Sequence, residues 1–205
     1  MLVFTGITNN IKSQTALSLK FSPISLHPFK EQNKVFFENK IDSNASFVVT
    51  PCVILSSETF IYSDELNVRF MLGGMSDAVS HAAMFFQAGL KYRFLQVYKS
   101  GFSIGAGVVF YGRECRLEEN GFFPEKFWHK NGSWEYSIGG LGEFEYNLML
   151  GDKHDLLFSL VYGFEPKSFT ATVGYRFWLS TTIKHRKKCG SCPFGNSSKG
   201  KKWNQ

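Results

Sequence analysis

Between Trp134 and Leu150 the residues alternate so regularly that an extended strand is the only regular structure that suits them. Even positions give Trp134, Tyr136, Ile138, Phe144, Tyr146, Leu148 and Leu150, and odd positions give Glu135, Ser137, Glu143, Glu145 and Asn147. Successive side chains on a strand point to opposite faces, so the stretch has one apolar, aromatic face and one acidic face. At a strand's rise per residue it spans roughly 55 Å, well beyond the usual globular strand.

The same alternation recurs on both sides of it. Leu66, Val68, Phe70 and Leu72 oppose Asn67, Arg69 and Met71; Phe86, Ala88, Leu90, Tyr92 and Phe94 oppose Gln87, Gly89, Lys91 and Arg93. Phe102, Ile104, Ala106, Val108 and Phe110 oppose Ser103, Gly105 and Gly107. After residue 150 come Leu156, Phe158, Leu160 and Tyr162, and then Phe169, Ala171, Val173, Tyr175, Phe177 and Leu179 opposite Ser168, Thr170, Thr172, Gly174 and Arg176. The first 40 residues are less regular. Residues 2–8 and 14–22 read as strands, the second with Leu17, Leu19 and Phe21 opposite Ser18, Lys20 and Ser22 and ended by Pro23 and Pro28. Val35-Phe36-Phe37 reads as a short strand, and 46–56 as a strand with a bulge or edge at Pro51, which cannot donate to a ladder.

This gives eight to ten strands joined as consecutive hairpins, with no segment of helical period. The connections from residue 74 onward run long, short, long, short, short. If the last strand ends on the short-turn side, the turns at 98–101 and 151–154 lie there, and the loops at 74–84, 113–132 and 164–167 lie at the other end. That division suits a transmembrane barrel. No run of about 18 apolar residues is present, so a membrane-spanning helix is not expected. A mean hydropathy of −0.14 fits either a soluble protein or a barrel that crosses with alternating strands.

The two faces bear on which side is the interior. The polar face mixes Arg69, Lys91, Arg93 and Arg176 with Glu135, Glu143 and Glu145 and is padded with Gly and Ser, which suits a crowded, hydrogen-bonded lumen. The apolar face is bulky, nearly uncharged and places Trp134, Tyr136, Tyr175 and Phe177 at strand ends, as interfacial aromatic girdles do. A soluble calycin-like barrel with an apolar ligand inside would carry the same alternation with the opposite sense.

The last strand, Thr170-Ala-Thr-Val-Gly-Tyr-Arg-Phe-Trp178, resembles the closing strand of bacterial outer-membrane β-barrel proteins, which typically ends in Gly-aromatic-x-aromatic. Gly174, Tyr175 and Phe177 match it, and Gly89-Leu-Lys-Tyr-Arg-Phe94 repeats the style. The resemblance is to the small eight- to ten-stranded class and covers residues 45–180. It implies an antiparallel up-and-down transmembrane β-barrel in the bacterial outer membrane, with the lipid bilayer, and lipopolysaccharide, as partners. Such proteins usually stop at the terminal aromatic, whereas this chain continues to Gln205.

The formal net charge of +6 belongs to one end. Residues 181–205 carry seven basic residues and no acidic one, leaving 1–180 with 16 basic against 17 acidic. We therefore expect a barrel domain over 1–180, a basic flexible tail over 181–205, and no nucleic-acid-binding body. Met1-Leu-Val-Phe-Thr-Gly shows no basic region followed by an apolar one, so no signal peptide is visible.

Two enzyme classes, lipid A deacylases and palmitoyltransferases, use small barrels of the resembled kind. Deacylase similarity would imply His-x-Ser on one strand face, and none of His27, His81, His129, His154 or His185 has it. Ser80-His81 beside Ser76 and Asp77 is the remaining catalytic candidate, and a solvated loop is its plainer reading. Cys189 and Cys192 have CxxC spacing without the setting of a redox motif or a zinc site, so no cofactor or metal is expected. Asn44, Asn131 and Asn196 head sequons that carry no meaning in a bacterium. In the loop at 113–132, Phe122, Phe123, Phe127 and Trp128 form the candidate contact surface for an extracellular ligand. The expected activity is binding, adhesion or envelope integrity through the loops around a side-chain-filled lumen. Lipid A acyl hydrolysis or transfer is the alternative.

Overall fold

The computed structural model describes residues 14–29, 32–62, 65–79, 81–114, 129–131, 134–164 and 167–179. Nine strands form one antiparallel sheet: β1 (Thr15–Leu26), β2 (Phe47–Tyr62), β3 (Leu66–Ser76), β4 (Ala82–Val97), β5 (Ser100–Glu114), β6 (His129–Asn131), β7 (Trp134–Met149), β8 (His154–Gly163) and β9 (Ser168–Trp178). Neighbours in sequence pair except β5 with β6, β1 pairs with β9, and β5 pairs with β7, so eight strands close into an up-and-down barrel. The ninth, β6, is a three-residue strand paired with the start of β7. Closure removes the sheet edges whose unpaired backbone groups hydrocarbon cannot satisfy.

The parity is as the sequence implies. The turns at 98–99 and 150–153 and the facing ends of β2 and β3 lie at one end with Thr15 and Trp178, where Ala16 pairs with Trp178 across the closure. Leu26, Phe47, Ser76, Ala82, Glu114, Trp134, Gly163 and Ser168, the opposite strand ends, lie at the other, the loop end. The start of β7 runs past the end of β8, since β7–β8 pairing reaches only Leu141↔Gly163 while β5–β7 pairing reaches Glu114↔Trp134.

Two expectations from the N-terminal part change. Pro23 does not end the first strand; β1 runs on to Leu26, and its register with both β2 and β9 shifts around Pro23. A bulge absorbs the missing donor, and the shift in the β1–β2 register also takes in Thr50-Pro51, where a bulge was expected. Val35-Phe36-Phe37 is not a strand. Gln32–Phe36 is a 3-10 helix, which leaves Val35 exposed and lets Phe37 drop onto Val48, Ala78 and Val79. The expected strand at 2–8 and tail at 181–205 lie outside the described residues.

The apolar face points outward. Leu19, Leu55, Leu72, Leu90, Val108, Phe144, Leu160 and Val173 are each between 46% and 61% exposed. A contiguous outward belt of this kind is a liability in water and a requirement in lipid. Along β4, Met84 through Phe94 stay apolar outward, which at a strand tilt of about 40° is about 26 Å along the barrel axis, the height of a bilayer-facing band. Aromatic rings crowd both ends: Phe94, Phe102, Tyr146 and the His154–Tyr175–Phe177 group towards the turns, Phe110–Tyr136 and Tyr162–Phe169 towards the loops. This orientation is the reverse of a soluble calycin-like barrel.

Candidate functional site

Inward-facing residues fall into three tiers, legible along β2: Thr50, Cys52 and Ile54 near the loops, then Ser56 and Glu58, then Phe60 near the turn. Strand pairing brings matching residues of the other strands to each level.

The middle tier is a charged belt. Lys20 donates to Glu143 (2.6 Å), Glu145 (2.6 Å) and Ser159 (3.0 Å). Lys91 donates to Glu58 (2.8 Å) and also to Glu145. Arg176 reaches Glu145 (2.5 Å), Glu58 (3.1 Å) and Asp155 (3.4 Å). Arg69 pairs with Glu143 and donates to Gln87 (3.3 Å). Four cations thus meet four carboxylates, all buried, so no net charge is stranded in the belt itself. Glycines clear the space: a Cβ on Gly174 would sit 2.6 Å from Lys20 Cγ, and one on Gly105 would sit 3.1 Å from the Arg69 guanidinium.

Of the seven residues the polar-face reading groups together, the structure brings five into this belt: Arg69, Lys91, Glu143, Glu145 and Arg176. Arg93 lies lower. It donates to Gln96 (3.0 Å), and its guanidinium stacks 5.6 Å from the Phe60 ring and 6.0 Å from that of Trp178. Glu135 lies at the loop end, where it accepts from Arg113 (3.3 Å). Lys20, Glu58 and Asp155 complete the belt without having been grouped with it. Lys20 had a signal, because it alternates with Leu19 and Phe21.

The bottom tier is an apolar plug of Phe60 and Trp178 packed with Ala16, above which Trp178 Nε1 donates to Asp155 at 2.9 Å. Met149 is buried at the same end, and Leu157 is buried higher, on β8 between Asp155 and Ser159.

The top tier has no counterpart in the sequence reading. Cys52, Ile54, Phe85, Val109, Leu141 and Val161 point inward and line a cavity of about 100 Å³ that also touches Tyr111. Its rim is polar, with Ser25, His27, Thr50, Ser168 and Thr170, and with Asp77, whose carboxylate lies 4.0 Å from the Arg113 guanidinium. His27 is hydrogen-bonded to Ser25 (3.0 Å) and lies edge-on to Phe37, 5.0 Å between ring centroids. Its backbone N–H donates to Ser46 (2.7 Å), which ties the 27–46 loop to the mouth. The missed signal was present: Leu141 and Met149 interrupt the polar parity of β7, and Met71 that of β3.

His81 lies 3.6 Å from the Glu114 carboxylate at the loop end, both partly exposed. Ser80, the aromatic residues Phe122, Phe123, Phe127 and Trp128, and Cys189 and Cys192 lie outside the described residues. Among the described residues no cluster of metal-ligating side chains occurs.

No protein-family model matches the chain, and no curated protein does. Solved structures do match in shape. The chain superimposes on the N-terminal β-barrel domain of Pseudomonas aeruginosa OprF with TM-score 0.48 at 11% identity, covering 80% of this chain and 96% of that one. The Yersinia pestis attachment invasion locus protein Ail, solved with the heparin analogue sucrose octasulfate, gives TM-score 0.42 at 10% identity over 81% and 97%. Neisserial surface protein A gives TM-score 0.50 at 13% identity over 80% of this chain and 96% of that one, and that likeness shows the fold of a small eight-stranded membrane β-barrel.

Proposed function

We propose that this chain is an integral outer-membrane β-barrel that does not conduct and acts through its loop end, in surface binding, adhesion or envelope integrity. The observation that carries the reading is the pairing of an apolar exterior with a lumen occupied by the neutral belt and the plug beneath it. Eight strands leave an interior just wide enough for side chains to fill. A solute crossing it would have to part buried ion pairs. The lipid bilayer is the partner that covers the belt of outward residues, and lipopolysaccharide is the lipid within reach of the loop end. In this reading the segment with Phe122, Phe123, Phe127 and Trp128 is where a surface partner is met.

Reconstitution into planar lipid bilayers tests it. Protein that migrates differently unboiled and boiled, and so is folded, is expected to give no steady ohmic conductance. Reproducible channels of fixed conductance would overturn the sealed-lumen reading. Folded, monodisperse protein at high concentration without detergent would overturn the membrane reading.

A further inference from the structure

We infer that the top tier of the lumen is a binding cup for a small uncharged amphiphile, which inserts a short apolar end and leaves a neutral hydrogen-bonding head at the rim. The inference deepens the loop-end reading above and rests on it.

Three features carry it. First, the walls are apolar where a water-filled vestibule would be polar: Ile54, Phe85, Val109, Leu141 and Val161 come from β2, β4, β5, β7 and β8, so the lining runs most of the way round the barrel. These residues pack against one another around the cavity, directly above a belt of Lys, Arg and Glu, and their cavity-facing atoms have nothing opposite them to supply dispersion contacts, which an occupant would restore. Second, the cup is blind. Met71 and the belt lie below it, so it is entered from the loop end. Third, the rim is chemically distinct from the walls. Ser25, Thr50, Ser168 and Thr170 supply hydroxyls and His27 an imidazole, and the one carboxylate there, Asp77, lies 4.0 Å from the Arg113 guanidinium, so the rim donates and accepts without imposing one sign of charge. Apolar walls with a few convergent polar groups are what small-molecule sites are made of.

Size narrows the ligand. A dry apolar cavity of about 150 Å³ accommodates benzene, so this one, at about 100 Å³, takes about four carbons below the rim. Straight medium-length alcohols, esters or amides fit that description. Long charged lipids do not, because the cup ends at the belt.

The test uses the full chain in lipid nanodiscs with methyl-labelled Ile, Leu and Val, titrated with 1-hexanol, 1,6-hexanediol or hexylammonium. 1-Hexanol is expected to shift the Ile54, Val109, Leu141 and Val161 methyls saturably, while the outward Leu19, Leu160 and Val173 methyls drift linearly as the alcohol partitions into lipid. Hexanediol and hexylammonium are expected to bind at least ten-fold more weakly. Val161→Phe and, separately, Cys52→Phe fill the cup and are expected to weaken hexanol binding at least ten-fold while keeping the unboiled gel mobility of folded barrel. Linear drift of inward and outward methyls alike overturns the proposal. So does saturable binding that both filling variants leave intact, or a cup whose methyls already contact another segment of the chain and ignore every probe. Such a failure in folded, non-conducting protein leaves the barrel reading standing, whereas conductance or loss of membrane association defeats that reading instead.

Discussion

Glu145 shows how much one inward side chain holds in this lumen. Its carboxylate accepts from Lys20, Lys91 and Arg176, three cations on three different strands. Glu145→Gln keeps the shape and removes the charge, leaving a surplus of buried positive charge; breaking such a pairing costs about 3–5 kcal/mol. Urea unfolding of the barrel in lipid vesicles should show a loss of that size, whereas Glu114→Gln, at a half-exposed pair on the rim, should stay within about 1 kcal/mol. Gly174 makes a steric version of the same point. It belongs to the Gly-aromatic-x-aromatic run of the last strand, and a Cβ there meets Lys20 Cγ at 2.6 Å and the Leu19 carbonyl oxygen at 2.7 Å. Because one of those contacts is backbone, Gly174→Ala should destabilise by about 1–3 kcal/mol, measured in the same unfolding assay. A glycine that looked like part of a terminal motif is thus also the space that lets Lys20 lie across the lumen.

At the scale of elements, the strands from β3 onward follow from period-two patterning except β6, a three-residue strand inside the stretch read as the 113–132 loop, and the other departures lie where tertiary contacts outweigh local preference. Phe36-Phe37 has strand-like composition, yet a 3-10 turn places Phe37 against Val48 and Ala78, burial that a strand in that loop would forgo. Pro23 looked like a terminator because it cannot donate, but a bulge tolerates it, and no pattern within β1 alone reveals that the partner strands shift register there. The charged belt was half legible. Arg69, Lys91, Glu143, Glu145 and Arg176 stand out by alternation, while Glu58 sits among Ser and Thr and Asp155 next to a turn, so only register assigns them to the same level. The apolar cup was not legible, since Leu141, Val109 and Ile54 read singly as noise in a polar parity and become a site only when β2, β5 and β7 meet. The 27–46 loop has its own clasp, in which the Asp42 carboxylate accepts the Phe47 N–H at 2.7 Å. That hydrogen bond holds the Asp42 pKa below the usual carboxylate value. With the folded-state pKa depressed, the clasp contributes above the unfolded-state pKa and is lost as pH falls through the folded one. Amide exchange at Phe47, corrected for the intrinsic rate, should therefore lose protection as pH drops below the carboxylate range, and Asp42→Ala should show the lower protection at neutral pH.

For the whole molecule, the barrel has an apolar surface and a charged belt across the middle of its interior, the inverse of a water-soluble protein. A bilayer accounts for that surface, and the belt and plug account for how the interior stays filled without it. The most direct measurement is where the outward methyls lie relative to lipid and water. In nanodiscs, methyl resonances of Leu19, Leu55, Leu72, Leu90, Val108, Leu160 and Val173 should broaden strongly with a fatty acid spin-labelled deep in its chain and stay sharp with an aqueous gadolinium chelate. Broadening of those same methyls by the aqueous chelate, with no response to the lipid spin label, would contradict the account.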